Sequence, residues 1–194
     1  MSYLVKLLII LIISFAVTAC DDASYNPRRH SYPEIPLPKH SYSEFKPNCP
    51  FQFEVPKYAK VAADTQPGSE PCWYNIEFTD YKATLYLSYK PASSFKSLRE
   101  MTDDAHIFAS KHYVKADDIV DSPYRIRRDL MGVYFNIEGS TASGLQFFAT
   151  DSNKHYLRGA LYFNNKPNPD SVAPVFQFLK EDINHMLSTI VWKN

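Results

Sequence analysis

Beyond residue 49, apolar and polar residues alternate in a succession of short runs, and a period of two predicts strands. Residues 49–55 alternate as a candidate edge strand. Tyr74, Ile76 and Phe78 share one face of the next strand, and Ala83, Leu85, Leu87 and Tyr89 one face of its successor, with residues 79–82 as a hairpin connection. A second group begins at Met131, Val133, Phe135 and Ile137, continues with Leu145, Phe147 and Ala149, and ends with Leu157, Gly159, Leu161 and Phe163. The short polar links at residues 139–142 and 151–154 predict an antiparallel meander. Between the groups, a short strand is expected over residues 114–120. The cluster Arg125, Arg127 and Arg128 that follows reads as a solvated loop or strand edge.

Two stretches switch to helical spacing. Phe95, Leu98, Met101, Ala105, Phe108 and His112 recur on one face behind Ser93 or Ser94 as the N-cap. Val172, Val175, Phe176, Leu179, Ile183, Met186, Leu187 and Ile190 do so behind Asp170 or Ser171. Together the elements predict a single α+β domain, an antiparallel β-sheet with both amphipathic helices packed on it. On the last meander strand, Leu157, Gly159, Leu161 and Phe163 are expected to face the helices. That leaves Tyr156, Arg158, Ala160, Tyr162 and Asn164 on an uncovered face.

The pattern before residue 49 is different. Residues 7–19 form an aliphatic run in which Lys6 is the only preceding charge. At 1.5 Å per residue the run is about 20 Å long, short of a hydrocarbon core of roughly 30 Å, so residues 1–19 read as a signal peptide. The run ends Val17-Thr18-Ala19-Cys20, which is similar to a bacterial lipobox, so Cys20 is the expected site of lipidation, carrying palmitate-type acyl chains. The competing readings are an uncleaved anchor or an ordinary secretory signal in which Cys20 is incidental. Residues 21–56 then hold seven of the 14 prolines. Residues 20–48 read as a Pro-rich membrane tether, with a reach of about 80 to 90 Å in polyproline geometry, and residues 49–194 as the domain.

Composition narrows the function classes. The 194 residues carry 21 Lys+Arg against 21 Asp+Glu, which argues against nucleic acid or an anionic surface as a partner. In an exported chain with Cys20 acylated, Cys49 and Cys72 remain and are expected to pair, because two lone cysteines without CxxC spacing or a nearby His make a poor metal site. An enzyme would draw on Ser140 or Ser143, His155 and Asp151, yet no G-x-S-x-G elbow is present and an alternating strand does not converge the three groups. Asp103, Asp104 and His106 do not converge on a metal, and His112 lies in register with an apolar stripe as a core histidine. With only five glycines there is no phosphate loop. The expectation is no catalytic residues, no cofactor and no metal.

The densest set of recognition-type side chains is Asp151, Lys154, His155, Tyr156, Arg158 and Tyr162, read as a partner interface because Tyr and Arg dominate such surfaces. The plainer reading pairs Arg158 with a cross-strand acid such as Glu138.

Four segments carry a resemblance: CPFQFEVPKYAKV from Cys49, CWYNIEFTDYKATLYLSYK from Cys72, KHYVKADDI from Lys111 and QFFATDSNKHYLRGALYFNNKPNPDS from Gln146. The chain resembles the GldD family of gliding-motility lipoproteins of Bacteroidetes over nearly all of residues 49–193, most specifically in TDSxKHxLRGALYF. The resemblance implies a lipid-anchored cell-envelope protein required for gliding and associated with type IX secretion of adhesins. Its partners would be other gliding and secretion envelope proteins, its membrane the cell or outer membrane, with the domain facing the periplasm. It carries over no catalytic residues. The leading expectation is a non-enzymatic interaction or assembly subunit, and the alternative is an envelope enzyme or small-molecule-binding lipoprotein.

Overall fold

The computed structural model describes residues 3, 35–164 and 169–193. The expected signal peptide apart from Tyr3, the lipidation site Cys20 and residues 20–34 of the expected tether lie outside the described residues. In chain order the elements are β1 (Tyr42–Phe45), β2 (Phe51–Pro56), β3 (Lys60–Ala63), β4 (Tyr74–Phe78), β5 (Ala83–Pro91), α1 (Phe95–Ser110), β6 (Ala116–Arg127), β7 (Leu130–Gly139), β8 (Leu145–Thr150), β9 (His155–Phe163), α2 (Pro169–Ser188) and β10 (Val191–Trp192). Seven strands form one antiparallel sheet in the order β3-β4-β5-β9-β8-β7-β6, and β1-β2-β10 form a second, smaller one.

The two helices lie on opposite faces of the large sheet. Leu179 and Ile183 of α2 bury with Leu85, Phe147, Leu157 and Leu161, and Phe51 and Phe53 of the small sheet close the same core. Leu98, Ala105 and Ala109 of α1 bury instead with Phe135, Phe148 and Tyr156. The expectation that Tyr156, Arg158 and Tyr162 share an uncovered face is corrected at its Tyr156 end. The cause is visible in β8, where adjacent Phe147 and Phe148 point to opposite faces and every residue is buried, so both faces need cover.

β6 also departs from the expected short strand and loop. It runs unbroken through Pro123 to Arg127 as an edge strand with bulges near each end. Ile137 of β7 donates its N–H to Gly144 O at 3.0 Å, so odd-numbered β7 residues turn their backbone groups toward β8. Val133 is one of these and pairs with Pro123, whose ring nitrogen therefore faces the open edge, where no ladder donor is required.

The tether reading is corrected over its last residues. Tyr42–Phe45 pair with Pro56–Phe53 as β1, and the chain just before them is pinned to α2. His40 meets Asp182 through Nδ1 at 2.7 Å and Glu181 through Nε2 at 3.1 Å. Tyr42 donates its hydroxyl to the same Asp182 at 2.9 Å and stacks on His185 at 3.5 Å. Tyr58 donates to the other oxygen of Asp182, whose side chain is 1% exposed. Cys49 and Cys72 form a disulfide with Cα atoms 5.8 Å apart, tying the chain ahead of β2 to the chain ahead of β4. Closing a loop of 23 residues stabilises the fold by about 3 kcal/mol in the chain-entropy picture.

Candidate functional site

The residues expected at an interface divide into two groups. Asp151 organises the β8–β9 turn: its Oδ1 accepts the N–H groups of Asn153, Lys154 and His155 at 2.8–2.9 Å. Burial pushes its carboxyl up, but the three donations outweigh that and bring it below the usual range. Lys154 lies exposed in the same turn. His155 is buried, bonded through Nδ1 to the Tyr89 hydroxyl at 3.0 Å and stacked on Trp192 at 5.1 Å. Tyr156 is buried under α1, where its hydroxyl donates to Met101 O at 2.9 Å and its ring stacks on Phe148. The Asp151, His155 and Tyr156 side chains are thus engaged within the fold, while that of Lys154 is open to solvent.

Arg158 and Tyr162 sit where α1 stops covering the sheet. The Arg158 guanidinium donates to Gln146 Oε1 at 2.6 Å and lies 4.9 Å from the centre of the Phe108 ring. The Lys111 ammonium is also 4.9 Å from that ring. Gln146 in turn donates through Nε2 to His112 Nε2 at 2.8 Å. Tyr162 packs edge-on against Tyr86 of β5 at 5.8 Å. His112, placed on the helical stripe by its spacing, actually lies in the 3-10 turn of Lys111–Val114 that follows α1.

Arg158 forms no ion pair among the described residues. Its cross-strand neighbours are Ser88 and Phe148. Glu138 shares side-chain parity with Asn136, which bonds Lys180 of α2 on the opposite face, so the expected Arg158–Glu138 pair is not made. Burial lowers the guanidinium from its usual value, and the neighbouring Tyr156 and Tyr162 hydroxyls offset part of this. Phe108 is itself 40% exposed, and Tyr113 and Val114 of the following 3-10 turn are exposed as well. A partly buried guanidinium has five donors. With one bonded to Gln146 beside the Phe108 ring, it is suited to a carboxylate from outside.

Two histidines make the fold sensitive to acid. Burial is the main cause that lowers His112 and His155 below the ordinary 6.5, and the Arg158 charge adds to the effect at His112. The unfolded chain takes up these protons near 6.5 while the fold resists them. Their contribution is therefore complete above that pH and is lost as pH falls through the window below it. Urea midpoints between pH 7.5 and 5 are expected to fall less steeply for His112→Gln than for wild type; parallel profiles would contradict this.

Fold and site together define a small α+β protein built on one large antiparallel sheet, with an open sheet face as its candidate contact surface. The family model described as gliding motility lipoprotein GldD matches residues 22–192, and the chain belongs to that family. It is accordingly an envelope lipoprotein of gliding motility. No helix among the described residues is long and apolar enough to cross a membrane. Among solved structures, the solution structure of cyanobacterial PsbP (CyanoP) from Synechocystis sp. PCC 6803 is similar at a TM-score of 0.49 and 10% identity, over 84% of this chain and 97% of that one. Comparison with curated proteins gives no match.

Proposed function

We propose that this protein is a non-enzymatic interaction subunit of the gliding and type IX secretion apparatus, anchored by acyl chains on Cys20 after removal of residues 1–19. The observation that carries the contact role is Arg158, a cation that meets Gln146 and the half-exposed Phe108 ring and, among the described residues, no acid. A second envelope protein presenting a carboxylate flanked by aliphatic residues would complete it. The contact face comprises Arg158, Tyr162, Tyr86, Lys111 and Tyr113, while Asp151, His155 and Tyr156 serve the fold.

Tyr86 and Tyr113 are exposed, so their replacement should change folding stability by less than about 0.5 kcal/mol, whereas truncating interface anchors commonly costs about 2 kcal/mol or more of binding. Tyr86→Ala combined with Tyr113→Ala is expected to abolish gliding and adhesin export, and to lose a partner captured by crosslinking in intact envelopes, at unchanged protein level and melting temperature. Normal gliding would remove the face from consideration. In the same strain background, Cys20→Ala is expected to lose labelled fatty acid and sedimentation with membranes; retention of both would contradict the anchor.

A further inference from the structure

A groove of about 460 Å³ runs between the N-terminal half of α2 and the β6–β7 end of the sheet, a volume typical of ligand sites. It lies on the face opposite Arg158 and takes no part in the contact proposed above. Val172, Phe176 and Lys180 recur at intervals of four, so α2 presents them in one row along the groove: aliphatic, aromatic, cationic. Phe163 of β9 and Val120 of β6 add further apolar lining, and Val120 is 43% exposed for want of cover. Gly144 shapes the floor: a Cβ there would stand 2.9 Å from the Phe176 ring, so its absence lets the ring settle against β8.

The groove has a polarity along its length. The Lys180 ammonium donates to Asn136 Oδ1 at 2.8 Å and forms no ion pair among the described residues. Tyr134 meets Asn184 at 2.5 Å while Asn136 meets Lys180, so β7 and α2 run in opposite directions. Glu138, two residues on, therefore falls beside the Phe176 end. Anionic charge is attracted at Lys180 and repelled at Glu138, and the Phe176 ring lies between them with Gln177 beside it.

We propose that this groove binds a single-chain amphiphile with an anionic head group, the carboxylate or phosphate at Lys180 and Asn136 and the acyl chain along Phe176 toward Val172. Free fatty acids and lysophospholipids share this chemistry, and an envelope lipoprotein works beside sources of both.

The test uses the full lipidated chain in phospholipid nanodiscs, with two probes that carry a diazirine on the acyl chain: a fatty acid and a lysophosphatidylglycerol. Photolysis followed by peptide mapping is expected to place the label on peptides containing Phe163 and Phe176. Lys180→Gln, which removes the charge and keeps a polar N–H donor on a side chain one methylene shorter, should reduce that labelling about tenfold. Lys180→Glu should transfer the preference to a photoreactive alkyl trimethylammonium. Whichever of the two anionic probes labels at lower concentration identifies the source. Labelling of Phe163 and Phe176 peptides that is indifferent to both Lys180 substitutions, or confined to other peptides while both variants melt as wild type does, would overturn the proposal. Should either variant melt early, competition on wild type by unlabelled dodecanoate against dodecanol decides: equal competition by the uncharged alcohol overturns it.

Discussion

Gly132→Ala is expected to destabilise the protein by about 3 kcal/mol or more, an overpacking effect at the upper end of single substitutions. A Cβ at this position would lie 1.8 Å from Phe148 O and 2.7 Å from the Tyr124 hydroxyl. The first obstacle is backbone, held by the β7–β8 ladder in which Gly132 pairs with Ala149 and Val133 with Phe148. The second is the Tyr124 ring, which crosses Gly132 to donate to that same carbonyl at 2.9 Å. Neither can retreat without opening the meander. Tyr124→Phe, which removes only the hydrogen bond, is expected to cost about 1 kcal/mol. Urea denaturation of the two variants separates the effects, and a loss below about 1 kcal/mol for Gly132→Ala would mean that the strands spread freely.

The second large effect is expected at Asp182. Its carboxylate accepts from His40, Tyr42 and Tyr58 while lying in the buried stripe of α2 between Leu179 and Ile183. Asp182→Ala leaves three donors without their acceptor and should cost about 3 kcal/mol, since hydrogen bonds to a charged group are worth about 1.5–3 kcal/mol each and their losses overlap. Asp182→Asn retains one oxygen and should recover part of the loss. Hydrogen exchange reads the location: the amides of Tyr42–Phe45 should lose protection before those of β8 and β9. Uniform loss of protection would show that the clasp and the sheet open as one unit.

Asp182 also illustrates what was legible beforehand. An acid between apolar residues of an amphipathic stripe signals a buried partner, but that partner is His40 and Tyr42, more than a hundred positions away in a stretch whose prolines argue for irregular chain. The inner strands β4, β5, β7, β8 and β9 of the large sheet, by contrast, were readable because their residues alternate with period two. The edges β3 and β6, with one neighbour each and mostly exposed residues, carry no such pattern. The alternation of Tyr156, Arg158 and Tyr162 against Leu157, Leu161 and Phe163 was readable as well. Which part of that face is covered was not, because it depends on α1 crossing to the side opposite α2, a tertiary choice made by Phe135 and Phe148. Arg158 could be singled out by residue type alone. Its amide partner could not, since Gln146 sits diagonally across the strand pair.

The clasp and the disulfide acquire a mechanical meaning in a lipoprotein of a motility system. Tension applied from the N-terminal side enters the described fold at Ile35 and loads His40, Tyr42 and β1 before any strand of the large sheet. Once those contacts yield, the 14 residues from Ile35 to Asn48 can extend to at most about 45–50 Å end to end. The force then arrives at Cys49, where a covalent link transfers it directly to the start of β4. Under such a load the N-terminal edge of the domain is expected to behave as a sacrificial link followed by a hard stop, yielding first in a segment that contributes no strand to the large sheet.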